Sequence, residues 1–212
     1  MSDFQKFYEK ECFYYPEPSS VLKKHINLIK GEDLVALDLG CGDGRNTLFV
    51  ARKQFQTFCY DLSQNAIDKI TKVAIKENLK IIASVENVMN LSFESCKFDL
   101  IIASTIFDHL ERQDALNLIS NSKKWLKKSG FIYVGVFTED DPAHKIRNGF
   151  LNENEKVSET GEFIKTFFGK NELQEQFNDF KEIYYLEGLK EDLTHGSPHI
   201  HGLARIFCQK IN

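Results

Sequence analysis

No run of the chain is strongly basic, none is long and apolar, and no two cysteines form a motif. Each absence removes a class of function. Lys and Arg total 27 against 31 Asp and Glu, for a net charge of −4 and a pI near 5.9. A dedicated DNA or RNA binder usually shows a basic footprint, so no nucleic-acid partner is expected. No apolar stretch approaches the ~20 residues of a membrane helix, so no membrane partner is expected either. The opening MSDFQKFYEK lacks the apolar core of a signal peptide. The five cysteines (Cys12, Cys41, Cys59, Cys96, Cys208) are scattered without a C-x-x-C pair. They read as free thiols in a reducing compartment, which makes the expected location cytoplasmic. Internal repeats and low-complexity tracts are also missing.

What remains is a chain of 212 residues, 42% hydrophobic and 27% charged, enough for one domain spanning 1–212. Its order of elements is regular. A helix is expected over 21–30, with Ser19 or Ser20 as cap. "LVALDL" (34–39) reads as a buried strand, "RNTLFVARKQF" as a helix and "TFCYD" (57–61) as a strand. "SQNAIDKITKVAIKEN" reads as a helix capped by Ser63, with Ile67, Ile70, Ala74 and Ile75 on its inner face. "KIIAS" and "FDLIIAS" (98–104) are the next strands. "RQDALNLISNSKKWLKKSG" is a helix with Leu116, Ile119 and Leu126 inward, stopped by Gly130. "FIYVGVF" (131–137) is a fifth strand. Alternating helices and wholly apolar strands imply a parallel sheet covered on both faces. The polar stretch 138–170 breaks this rhythm and is too long for a simple connection. A short helix near "NELQEQF" and two extended stretches, 180–188 and 199–210, complete the chain.

"LDLGCGDGRNT" carries the sharpest chemical signal. A buried strand ends at Asp38, Gly40, Gly42 and Gly44 follow, and a helix starts at once. Glycines here permit a tight turn and a close approach of ligand to backbone. The spacing is G-x-G-x-G rather than the dinucleotide G-x-G-x-x-G, and no G-K-[ST] completes a Walker loop. Asp61 ends the next strand, where an acid can take both hydroxyls of a ribose. The ligand implied is an adenosine-like nucleoside without a clear phosphate cradle.

With Asp61, this loop resembles the class I S-adenosylmethionine-dependent methyltransferases, and the resemblance extends over most of the chain. It implies an α/β, Rossmann-like, doubly wound sheet of seven strands, mostly parallel with an antiparallel last strand. The implied cofactor is S-adenosyl-L-methionine, leaving as S-adenosyl-L-homocysteine. By resemblance, the backbone around Gly40, Cys41 and Gly42 faces the methionine part. Asp38 supports the ammonium group, Arg45 and its helix start favour the carboxylate, Asp61 holds the ribose, and Leu62 packs on adenine. In "NVMNL", Asn87 stands where the family often has Asp against the adenine amino group, and the Val88 backbone contacts the ring. In "FDLIIASTIFDHL", Ser104 and Thr105 lie beside the sulfonium, while Phe107, Asp108 and His109 look toward the acceptor.

"GRNTLFVA", "YYPEPSS" and "HGLARIFCQK" resemble the small-molecule subgroup that includes the tellurite-resistance and thiopurine-like methyltransferases. The expected partner is therefore a small-molecule methyl acceptor, attacked in line with the C–S bond. The chain lacks the [DNS]-P-P-[YFW] motif of amino-methylating nucleic-acid enzymes. A protein-directed methyltransferase, a non-catalytic cofactor-binding regulator and a nicotinamide oxidoreductase are the alternatives. In relatives the N-terminal segment folds over the cofactor, so residues 1–20, with Tyr8, Phe13, Tyr14 and Tyr15, are expected to do so here or simply to pack as an arm. Phe163, Ile164, Phe167 and Phe168 of the 138–170 insert either line the acceptor pocket or pin the insert to the core.

"THGSPHIHG" (194–202) carries three of the six histidines. In the family the sixth strand is parallel to the first five and the seventh returns antiparallel, placing this turn at the carboxyl end of the sheet. In a strand His199 and His201 share one face and Ile200 takes the other. His195, His199 and His201 could ligate a metal, but the transfer needs none and the expectation is no metal. His109, His199 and His201 are the candidate catalytic residues, as proton acceptors or as groups that orient the nucleophile.

Overall fold

The computed structural model describes residues 8, 17–148, 164–192 and 198–211. Phe13, Tyr14, Tyr15, Phe163 and His195 lie outside the described residues. Seven strands form one sheet: β1 (Val35–Leu39), β2 (Gln56–Asp61), β3 (Ile81–Val85), β4 (Phe98–Ser104), β5 (Leu126–Phe137), β6 (Phe180–Asp192) and β7 (His199–Lys210). Their order is β3-β2-β1-β4-β5-β7-β6. The β1–β2, β1–β4, β2–β3 and β4–β5 pairs are parallel, and β7 runs antiparallel between β5 and β6. Only the last strand is reversed, as the resemblance implied.

The helices α1 (Ser20–His25), α2 (Arg45–Arg52), α3 (Gln64–Glu77), α4 (Arg112–Trp125), α5 (Pro142–Arg147) and α6 (Glu172–Gln176) complete the order. The central strands β1, β4 and β5 are largely apolar because alternate residues enter different cores. Leu37, Ile101, Ile132 and Val134 pack with Ala115, Leu118, Ile119 and Trp125 of α4. Ala36, Leu100, Ile102 and Tyr133 pack with Val21 and Leu22 of α1 and Val50 of α2. A large side chain buried this way contributes roughly 1.5–3 kcal/mol, and both faces of the sheet gain it.

Local details depart from the sequence reading. The first helix ends at His25 and continues as a 3-10 turn, Ile26–Leu28. Ser19 occupies its N-cap position without a side-chain cap bond; its backbone N–H instead donates to Asn46 Oδ1 at 2.9 Å. Ser63 does cap α3, accepting from the Ala66 N–H at 3.3 Å. Ile75 is 78% exposed, and Ala66 takes the inner position instead. Helix α4 ends before Leu126, which opens β5, so Gly130 lies within a strand rather than stopping a helix. Leu116 is half-buried, while Ala115, Leu118, Ile119, Ser122 and Trp125 face inward. Among the described residues no helix is long and apolar enough to cross a membrane.

Candidate active site at the carboxyl end of the sheet

Strand order reverses between β1 and β4, and open α/β sheets bind ligands in the crevice outside such a switch point. A cavity of about 760 Å³ lies there. Residues at or just past the carboxyl ends of five parallel strands line it: Gly40, Asp61, Asn87, Ser104 and Phe137. Its volume is within the range of sites that enclose a ligand of drug size, roughly 300–1,000 Å³.

The glycine loop forms one wall. Gly40, Gly42 and Gly44 have φ of +64°, +54° and +93°, a region open to glycine and strained for other residues. A Cβ on Gly40 would stand 2.6 Å from Ile106 Cδ1, and one on Gly42 would stand 2.8 Å from the Tyr8 hydroxyl. The loop is tied to β2 through one carboxylate. Gly42 N–H donates to Asp61 Oδ2 and Ser63 N–H to Asp61 Oδ1, both at 2.9 Å. Burial raises the Asp61 carboxyl above its ordinary value, opposed by these backbone donors and by His109. A carboxylate has about four lone-pair sites, so Asp61 keeps acceptor capacity for a ribose.

Of the residues expected around a cofactor, Gly40, Arg45, Asp61, Leu62, Asn87, Val88 and Ser104 all line the cavity. Arg45 opens α2 and reaches Ser104 Oγ at 3.4 Å. Asn87 Oδ1 accepts from Met89 N–H at 3.0 Å, leaving one lone pair of that oxygen. Thr105 also lines the wall, at φ +56°. That conformation is costly for a β-branched residue and clusters at functional sites.

Three expected residues sit elsewhere. Asp38 is 2% exposed beneath the loop, where Thr47 Oγ1 donates to its Oδ2 at 2.6 Å. Burial pushes its pKa to about 7. Cys41 is buried against Cys59, and burial raises its thiol well above the usual range. Gly42 shapes the loop from outside the lining.

At the other side the cavity meets Tyr133, Val136, Phe137, His201, Leu203 and Arg205. Strand alternation puts His199, His201, Leu203 and Arg205 on one face of β7; His199 and His201 are buried and Ile200 is 47% exposed. His201 Nδ1 stands 2.9 Å from Asp141 Oδ2, and its Nε2 stands 3.0 Å from His199 Nε2. Asp141 is 2% exposed and also accepts from Gly202 N–H at 3.0 Å and Ala143 N–H at 2.8 Å. Among the described residues the Arg205 guanidinium meets no carboxylate.

His109 lines the cavity near enough to Asp61 to lower its pKa, on the Asp61 side. Phe107 and Asp108 are fully buried and do not reach the cavity. The Asp108 carbonyl accepts from Lys165 and Thr166 N–H. Its carboxyl, raised to about 6 by burial, accepts from Phe137 N–H. The insert does not reach the lining through its described residues: Ile164 and Phe168 pack into the core, and Phe167 packs against Ile164's cluster. Its described contribution is Asp141, behind His201. Sequence reasoning missed Asp141 and Arg205. The signals were an Asp immediately before Pro142, a helix start, and the period of two from His201 to Arg205.

Residues 36–130 match the family model of a methyltransferase domain. This stretch and the sheet topology are similar to those of S-adenosylmethionine-dependent methyltransferases. One similar protein is TehB of Haemophilus influenzae, a probable S-adenosyl-L-methionine-dependent methyltransferase. It is 24% identical over 190 residues, covering 87% of this chain and 60% of TehB. The TehB crystal structure superposes with a TM-score of 0.74 at 21% identity, over 98% of this chain and 65% of that one. A methyltransferase structure from Methanosarcina mazei gives a TM-score of 0.68 at 23% identity, over 92% and 99%. The N1-methyltransferase of Burkholderia thailandensis, with bound 1,6-didemethyltoxoflavin and S-adenosylhomocysteine, gives 0.63 at 16% identity, over 89% and 75%. The chain thus spans about 60% of the length of the TehB it matches.

Proposed function

We propose that the protein transfers a methyl group from S-adenosylmethionine to a small molecule bearing a nucleophilic heteroatom. One observation carries the reading: a single cavity joins the glycine loop and Asp61 to a second group of side chains, His201, Leu203 and Arg205. Its residues suit the cofactor. Asp61 supplies a carboxylate for the ribose, Leu62 and Val88 an apolar clamp, and Arg45 a cation for the carboxylate. When bound, the cofactor supplies a methyl already activated on a sulfonium sulfur.

The chain's own part is to exclude water and align the acceptor. Tyr133, Val136, Phe137 and Leu203 give that end apolar walls. Arg205, which meets no carboxylate among the described residues, offers a positive charge to an anionic acceptor. The Asp141 carboxylate only accepts, so His201 donates through Nδ1 and presents a lone pair at Nε2. That lone pair accepts from His199 Nε2–H at 3.0 Å; once this contact opens, it receives a proton from the acceptor. His109 belongs to the nucleoside side. We treat residues 1–212 as one domain in which the described N-terminal residues Tyr8, Pro18 and Ser19, which line the cavity, cover the cofactor.

The test is to incubate the protein with S-adenosylmethionine and a panel of thiol, selenium, tellurium, amine and carboxylate acceptors, and to measure S-adenosylhomocysteine. Turnover above the acceptor-free rate with at least one acceptor is expected. Failure to bind either form of the cofactor by calorimetry overturns the reading. Tight binding without turnover on the whole panel favours a non-catalytic regulator.

A further inference from the structure

The geometry points to a divalent transition-metal site formed by Asp192, His199 and His201 at the acceptor end of the cavity. We infer this from four observations. The first is the spacing of donors. His199 Nε2 and His201 Nε2 are 3.0 Å apart with their rings nearly perpendicular, at 87°. A metal about 2.0–2.1 Å from each nitrogen holds tetrahedral donors about 3.3 Å apart, so the imidazoles already stand at ligand spacing.

The second is the third donor. Asp192 is directly opposite His199 in the β6–β7 ladder. One ligand atom from each of the three residues lies within 4.8 Å of the others, so a side-chain rotation of Asp192 closes the set. The register of two paired strands, rather than a flexible loop, places all three.

The third is the group behind the ligand. His201 donates through Nδ1 to the buried Asp141 carboxylate, which two backbone N–H groups also hold. This fixes the His201 tautomer whose Nε2 carries a lone pair; that lone pair accepts from His199 Nε2–H, a hydrogen that a bound cation displaces. A carboxylate behind an imidazole is the usual outer support of a metal-binding histidine.

The fourth is access. His199 and His201 are buried while Asp192 is half-buried, and Asp192 and His201 both line the main cavity. Three protein ligands with one side open toward the cavity are the arrangement of a site that also takes an exchangeable ligand. Two imidazoles and one carboxylate favour zinc, iron, cobalt or nickel over magnesium or calcium. This deepens the methyl-transfer reading and rests on it for the cation's use. A thiol or comparably acidic heteroatom binding at the open position releases its proton to solvent and stands there as the anion. The nitrogen lone pairs then hold the cation instead of the acceptor's proton.

The test uses the full chain, stripped with chelator and titrated with Zn²⁺ by calorimetry and with Co²⁺ by visible absorption. One equivalent per chain is expected, with the intense Co²⁺ bands of a low-coordinate site. Asp192→Asn and Asp141→Asn are expected to weaken binding by about 10–100-fold. His199→Ala is expected to abolish it, and His144→Asn, outside the cluster, to leave it unchanged. A retained cooperative thermal transition shows that each variant is folded. Absence of a stoichiometric site, or equal binding by the Asp192 and His199 variants, overturns the proposal. S-adenosylhomocysteine binding is measured separately: a chain that binds it but no metal sinks the cation site and leaves methyl transfer standing.

Discussion

Asp141 and His201 are sixty residues apart in sequence and joined by a 2.9 Å contact between two almost fully buried side chains. Each is fixed by its own element. Asp141 caps α5, accepting from Ala143 N–H, and His201 stands early in β7. The pair therefore sets the direction of an imidazole on the β7 side of the cavity without touching the glycine loop. Asp141→Asn keeps an oxygen for the cap but loses the charge. It should lower kcat by about tenfold or more, while the dissociation constant of S-adenosylhomocysteine changes less than twofold. A purely structural role would move the two together, so comparing kcat with cofactor affinity is the check.

Asp61 couples two tasks. Its carboxylate fixes the glycine loop through Gly42 N–H and the next helix start through Ser63 N–H, and its remaining lone pairs face the cavity. Asp61→Ala removes charge-assisted hydrogen bonds each worth roughly 1.5–3 kcal/mol. S-adenosylhomocysteine should bind more than tenfold more weakly by calorimetry. An unchanged dissociation constant would show that the nucleoside end has been misplaced.

The glycine-loop side of the cavity was legible in sequence because it is local: strand, glycine turn and helix are contiguous, and Asp61 follows at the end of the next strand. The sheet was legible for a similar reason, since strands buried on both faces read as apolar runs. The β7 side was only half legible. Alternation along β7 put His199 and His201 on one face, but Asp141 and Asp192 join them through tertiary placement and strand register. No spacing rule reports that Asp192 stands opposite His199. Misplaced boundaries had local causes. Leu126 fits a helical face and a buried strand equally well, and the strand won because it pairs with Phe98. Asp108 was expected toward the acceptor by resemblance of its loop to the family, yet the 3-10 turn Phe107–His109 turns it inward.

The glycine loop can be tested through folding alone. Gly44 precedes α2 at φ +93°, and a Cβ there would stand 2.5 Å from Ile70 Cγ1, a fully buried side chain. Backbone strain and overpacking each cost about 1–3 kcal/mol. Gly44→Ala should therefore lower the melting temperature by about 2–4 °C per kcal/mol. An Ala variant that melts with the parent would show that the loop adopts another conformation.

Buried acids give the apoprotein a pH dependence opposite to ordinary acid denaturation. Burial raises Asp38 to about 7 and Asp108 to about 6, from an ordinary 3.8. Between about pH 4 and pH 7 the folded chain thus holds protons that the unfolded chain has released. The contribution of these two groups is fully present below about pH 4 and is lost as the pH rises through about 6 and then about 7. Thr47 Oγ1 and Arg45 oppose the Asp38 shift but do not cancel it. Asp38→Asn is neutral throughout and keeps an acceptor for Thr47, so its melting temperature should fall less between pH 5 and pH 8 than the parent's. The measurement is calorimetric melting of cofactor-free protein at several pH values in that window. Parallel curves for parent and variant would mean that Asp38 is ionised in the folded chain throughout.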